Sequence, residues 1–233
     1  VSAIASGGAS AAASALQTHG WWLASRASGL VALVLVTISV GLGLAMAGKL
    51  MRRPGLSRKL MAVHEQTALA GLVAIAVHGI SLLGDPWLHP GLSGIAVPFA
   101  MGFRPLATGL GITGGYLAAL LGLSYYLRRR IGARLWRRAH RATVLVYLLG
   151  LVHAFTAGTD ASTVWFRWWV LMTAPLIGGL FVYRVFSGTA KQVGAKAGRA
   201  HEGARDRPGQ PERSLARRER APRTRPIPAT EEA

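Results

Sequence analysis

The sequence has no cysteine. That excludes disulfides, thiolate ligation of haem, cysteine-ligated iron–sulfur clusters and covalent haem attachment through a CxxCH motif. Acid is scarce as well: 9 Asp and Glu stand against 27 Lys and Arg, for a formal net charge of +18. Such a surplus can mark a nucleic-acid binder. Here, however, the cations cluster in short loops beside apolar runs and in a polar tail, which is a membrane-topology pattern with anionic lipid as its ordinary partner. No nucleic acid is implied. Within the apolar runs the acid is Glu65, near an end, and no carboxylate relay is present to serve a transporter or proton channel. The tail has no GxGxxG turn, so no dinucleotide-binding unit is expected in it.

What is plentiful is apolar length. Of 233 residues, 51% are hydrophobic, which predicts an all-α integral membrane protein, a bundle of about five transmembrane helices. The expected spans cover about 21–47, 60–83, 105–127, 139–157 and 168–186. Residues 1–20 are Ala, Ser and Gly without charge and read as a disordered or loosely helical leader, lacking the basic and apolar regions of a signal peptide. Residues 187–233 have almost no large apolar side chain and read as a disordered basic tail. The first loop carries Lys49, Arg52, Arg53, Arg58 and Lys59, and the third carries Arg128, Arg129, Arg130, Arg134, Arg137 and Arg138. The second and fourth balance Asp85 with Arg104 and Asp160 with Arg167. The positive-inside rule then places the N-terminus outside and the basic tail in the cytoplasm of a multi-pass plasma-membrane protein.

Two spans hold two histidines each: His64 and His78, then His140 and His153. Intramembrane histidine is expensive and ordinarily has a partner. Given the topology, His64 and His140 lie near the cytoplasmic face and His78 and His153 near the outer face, two pairs at matched depths. Neutral imidazole binds iron well, so two haem b groups, each between two axial histidines on parallel helices, fit the pattern. The rival reading is buried polar glue between helices. Fourteen residues leave His64 and His78 within about 40° of one helix face, but the thirteen between His140 and His153 turn an ideal helix by about 220° beyond whole turns. A π-bulge, a bend or offset haems would be needed. His19, in a polar leader, His89, with nothing paired to it at helical spacing, and His201, in the tail, are not expected to be ligands. Glu65 reads as a satisfied interfacial carboxylate. Arg26 reads equally as a snorkelling cation or as the ion-pair partner of a haem propionate.

The His64/His78 span, a histidine-free Gly- and Ala-rich span, and the stretch WRRAHR…VHAFTAGTD resemble the ferric reductase-like transmembrane domain. That family includes ferric reductases, NADPH oxidases and the haem subunit of a bacterial methionine sulfoxide reductase. The resemblance covers 21–186. It implies a cytochrome b with an inner haem on His64 and His140 and an outer haem on His78 and His153, passing electrons across the membrane. It also favours Arg26 as a residue beside the outer haem. The family's flavin and nicotinamide domain has no counterpart in the 47 or so residues after the last span. The expected donor is therefore a separate flavoprotein reductase, carrying FMN or FAD, or a quinol. The expected acceptor is ferric iron or an outer-side flavin or reductase partner. Whether the chain is an oxidoreductase by itself or a conducting subunit stays open at this point, and the alternative is a haem-free polytopic transporter or proton channel.

Overall fold

The computed structural model describes residues 2–50 and 55–205, with side chains described for 19–50 and 55–187. All regular structure among these residues is helical: α1 (Ser2–Ala47), α2 (Leu56–Ser81), α3 (Gly91–Ala96), α4 (Pro105–Ile131), α5 (Ala133–His140), α6 (Thr143–Thr156) and α7 (Val164–Arg205), with short 3₁₀ turns after α2 and α6. Among the described residues five segments are long and apolar enough to cross a bilayer: His19–Ala47, Leu56–Gly84, Pro105–Ile131, Ala133–Thr156 and Val164–Ser187. At about 1.5 Å per residue each exceeds the roughly 30 Å hydrocarbon core. Large apolar side chains such as Val73, Leu106, Leu120 and Leu176 are more than 60% exposed, as lipid-facing residues are. The chain is a multi-pass helical membrane protein.

Helix runs beyond the expected spans at both termini. α1 begins at Ser2 within the expected leader, because a run dominated by Ala favours helix over coil. α7 continues through Ser187 to Arg205 for the same reason, its 187–205 stretch being rich in Ala, Lys and Arg. The expected disordered tail from 206 to 233, and Arg52 and Arg53 of the first basic loop, lie outside the described residues. The chain divides into two units, Val1–Arg184 and Val185–Ala233, and the candidate site belongs to the first.

In that unit four helices close a ring. α1 packs on α2, α2 on α4, α4 on α6, and α6 back on α1. Small residues permit the two most extensive of these interfaces. A Cβ on Gly71 of α2 would sit 3.5 Å from Leu35 of α1, and one on Gly114 of α4 would sit 3.2 Å from Leu149 and 3.9 Å from the Gly150 backbone of α6. Close backbone approach replaces the hydrophobic drive that lipid does not supply. The Gly-rich third span is thus a packing helix, as its composition predicts. α7 adds Ile177 to a buried cluster with Val40 of α1 and Tyr147 of α6. The ring leaves α2 and α6 diagonal to each other, and these helices carry three of the four histidines, with His140 closing α5 immediately before α6.

The fourth span is not one helix. His140 ends α5, and two residues, Arg141 and Ala142, turn before α6 begins at Thr143. Tight i to i+3 bonds carry the turn, with Arg141 N donating to Arg138 O at 3.2 Å, Ala142 N to Ala139 O at 2.9 Å and Leu145 N to Ala142 O at 2.9 Å. Of the ways to reconcile a thirteen-residue separation, the structure uses this break.

Candidate functional site

The four histidines meet across the ring as two pairs. His64 and His140 have ring centres 6.1 Å apart with planes at 88°, and His78 and His153 have centres 6.1 Å apart with planes at 73°. All four rings are partly buried. On α2 the two levels are fourteen residues, or about 21 Å, apart along the axis.

Three of the rings are held in the same way. His78 Nδ1 lies 2.7 Å from the carbonyl oxygen of Ser25, His64 Nδ1 lies 2.9 Å from that of Ser39, and His153 Nδ1 lies 2.9 Å from that of Ala107. A carbonyl only accepts, so Nδ1 must carry the hydrogen. On a neutral imidazole this leaves the lone pair on Nε2 and fixes the tautomer and ring direction, as the other ring N–H of a metal-binding histidine ordinarily does. The Ser25 and Ser39 hydroxyls also lie 3.1 Å from the His78 and His64 Nδ1 atoms.

Each anchoring carbonyl is followed four residues later by glycine: Ser25 and Gly29, Ser39 and Gly43, Ala107 and Gly111. The spacing has a steric cause. In a helix the carbonyl of residue i points along the axis toward residue i+4, whose Cβ would shield it from a ring arriving sideways. A Cβ on Gly29 would fall 2.8 Å from His78 Nδ1, on Gly111 2.6 Å from His153 Nδ1, and on Gly43 3.3 Å from His64 Cε1. Glycine opens the carbonyl to the imidazole. The two Ser-to-Gly units on α1 are fourteen residues apart, matching the fourteen between His78 and His64 on the antiparallel α2.

His140 departs from this pattern. Its Nδ1 is buried and makes no hydrogen bond like those of the other three rings, although the Leu121 carbonyl faces it. Fourteen residues beyond Ala107 and Gly111, the equivalent positions on α4 are Leu121 and Tyr125, so a tyrosine replaces the glycine. The ring instead stacks on Trp136, one turn earlier in α5, with centres 4.9 Å apart and planes at 25°. Tyr125 lies against Trp136 in turn, at 5.9 Å. These side chains, with His64, Glu65, Leu69 and Leu72, line a largely apolar groove of about 520 Å³ including its open mouth. At its rim Tyr126 donates its hydroxyl hydrogen to Glu65 at 3.3 Å, giving that carboxylate the partner expected of it.

Near the other pair, Arg26 forms a bidentate ion pair with Asp160, Nε donating to Oδ2 at 2.8 Å and Nη2 to Oδ1. It also lies 5.2 Å over the Trp22 ring. Arg26 is therefore directed at a carboxylate of its own chain, a partner that no local sequence pattern announces. His89 lies in the loop after α2 with φ of 39°, and the side chain of His201 lies outside the described ones.

The residues fit a bis-imidazole haem iron on two observations. Two imidazoles that shared one metal ion through bonds of about 2 Å would have ring centres about 6 Å apart. Both pairs match. That separation also suits an edge-to-face ring contact, but such a contact has no need of three Nδ1–H groups pinned to carbonyls. Two imidazoles alone are a poor cage for a bare cation, which takes three or four protein ligands, whereas a porphyrin supplies the remaining four donors itself.

No family model, no curated protein and no solved structure matches the chain.

Proposed function

We propose that the chain is a membrane cytochrome b of ferric reductase-like type. It would hold an inner haem b on His64 and His140 and an outer haem b on His78 and His153. The observation carrying this reading is the pair of 6.1 Å imidazole contacts at two levels of one helix ring, three of the four rings having Nδ1–H committed to main-chain carbonyls. The haems, when bound, supply reversible one-electron chemistry. The chain's own residues do the rest. The four imidazoles would hold the two irons, the carbonyl anchors would raise ligand basicity, and the apolar wrapping would tune the potentials.

The N-terminus is assigned to the outside and the basic loops and tail to the cytoplasm of the plasma membrane, on the charge asymmetry of the loops. Electrons enter from a cytoplasmic flavoprotein carrying FMN or FAD, or from membrane quinol, and leave to an outer-side acceptor such as ferric iron or a flavin or reductase partner. Arg26, paired with Asp160, stands at the outer level as a positioning cation one residue from the Ser25 anchor. A pyridine haemochrome assay on the purified, detergent-solubilised protein tests the reading. About two haems b per chain are expected, and a preparation that stays haem-free when haem is supplied would sink it.

A further inference from the structure

We infer that Trp136 is the positioning residue of the inner site: it holds His140 by stacking because Tyr125 denies that ring the main-chain anchor used by the other three. The inference rests on the haem reading above and goes beyond it, since neither the ligand set nor the fold calls for a tryptophan here. Its basis is the fourteen-residue register on α4. Ala107 and Gly111 serve His153, and Leu121 and Tyr125 stand where the same device would serve His140. Leu121 offers its carbonyl, but Tyr125 brings a side chain to the position that must be empty, and His140 Nδ1 is left buried and unpaired.

Something else must keep the ring in place. His140 is the last residue of an eight-residue helix and precedes a two-residue turn, a weaker mounting than the middle of α2 or α6. Trp136 lies four residues earlier, on the same face of α5. Its nearly parallel stack at 4.9 Å restricts the imidazole plane without a hydrogen bond, and Tyr125 backs the indole at 5.9 Å. Trp136 Nε1 is itself buried without a partner, so the indole is not held there by its own N–H.

The test uses the full-length protein with its haems, read by low-spin electron paramagnetic resonance signals and by carbon monoxide binding after dithionite reduction. Both are measures that general destabilisation would not move at one site alone. Trp136→Ala is expected to free His140, weaken haem retention at the inner site about 10- to 100-fold, and let carbon monoxide bind one haem per chain. The outer low-spin signal should persist and serves as the folding control. Trp136→Phe keeps a stacking ring without the N–H and is expected to behave as wild type. Adding Tyr125→Gly to Trp136→Ala uncovers the Leu121 carbonyl and is expected to restore the inner signal.

Two six-coordinate haems in Trp136→Ala would overturn the inference, as would a Trp136→Phe variant as impaired as Trp136→Ala, or loss of both haems without rescue by Tyr125→Gly. A haem-free wild type is a different failure, because it removes the cytochrome reading itself.

Discussion

At the His78–His153 level both rings reach a main-chain carbonyl past a glycine, and a bidentate Arg26–Asp160 pair ties α1 to the turn after α6 close by. At the His64–His140 level one ring is held that way, while the other rests on Trp136 and ends a short helix. The separation between imidazoles is the same, 6.1 Å, at both levels. The difference shows that equal ligand geometry can be reached through unequal restraint. A ring with its Nδ1–H on a carbonyl has its tautomer and direction fixed before any metal arrives, whereas a stacked ring has its plane restricted but keeps its Nδ1 uncommitted.

Removing ligands breaks the comparison most sharply. His78→Ala or His153→Ala is expected to abolish the haem at that level and leave one per chain, and His64→Ala or His140→Ala should do the reverse, as resolved by redox difference spectroscopy. Four single variants that each keep two haems would refute the pairing.

Refilling the glycine cradles should grade the effect by distance. Gly111→Ala places a Cβ 2.6 Å from His153 Nδ1, Gly29→Ala places one 2.8 Å from His78 Nδ1, and Gly43→Ala one 3.3 Å from His64 Cε1. Overpacking of about 1–3 kcal/mol converts to a roughly 5- to 150-fold loss of haem retention. Haem-transfer rates to an apoprotein acceptor should rank the variants Gly111→Ala, Gly29→Ala, Gly43→Ala, and an unchanged Gly111→Ala would remove the steric argument.

Asp160→Asn sharpens the comparison further. It leaves Arg26 short of a charge partner, at a cost of about 1–2 kcal/mol once the 36% exposure of the arginine side chain is allowed for. Haem at the His78–His153 level should then be released at a lower temperature than in wild type, with the other level unmoved. The smallest effect is expected from Ser25→Ala and Ser39→Ala. Both keep the anchoring carbonyl and lose a hydroxyl 3.1 Å from Nδ1, so less than about 1 kcal/mol should be read in haem retention. A large loss would move the anchor from the main chain to the side chain.

The spans were legible because long charge-free runs in a 233-residue chain have few other uses, and the histidines because a titratable ring in such a run stands out. The pairing by depth followed from loop charge and agrees with the ring contacts. Less legible was the turn at Arg141–Ala142, which contains neither Gly nor Pro and so gives no breaker signal. The Ser-to-Gly units of α1 are visible as a repeat, S-x-x-x-G at 25 and at 39, but acquire meaning only once α1 is known to lie against α2. Asp160 lies 134 residues from Arg26, a separation at which no periodicity carries information. At the two termini the sequence reads as disordered or loosely helical before 21 and as disordered after 186, and its Ala content supports the helix seen from Ser2 and on to Arg205.

The two arms of the site also tolerate insertion and deletion differently. Along α1 and α2 the anchors and the histidines are two fourteen-mark rulers laid antiparallel, so one residue gained or lost in either helix rotates every mark beyond it by about 100°. Survival would require a matching change in the opposite helix. The turn at Arg141–Ala142 interrupts the run from His140 to His153, and a residue gained or lost there changes the turn and leaves α6 itself in phase. Length variants among descendants of this sequence should therefore collect at 141–142, and coupled pairs of them in α1 and α2.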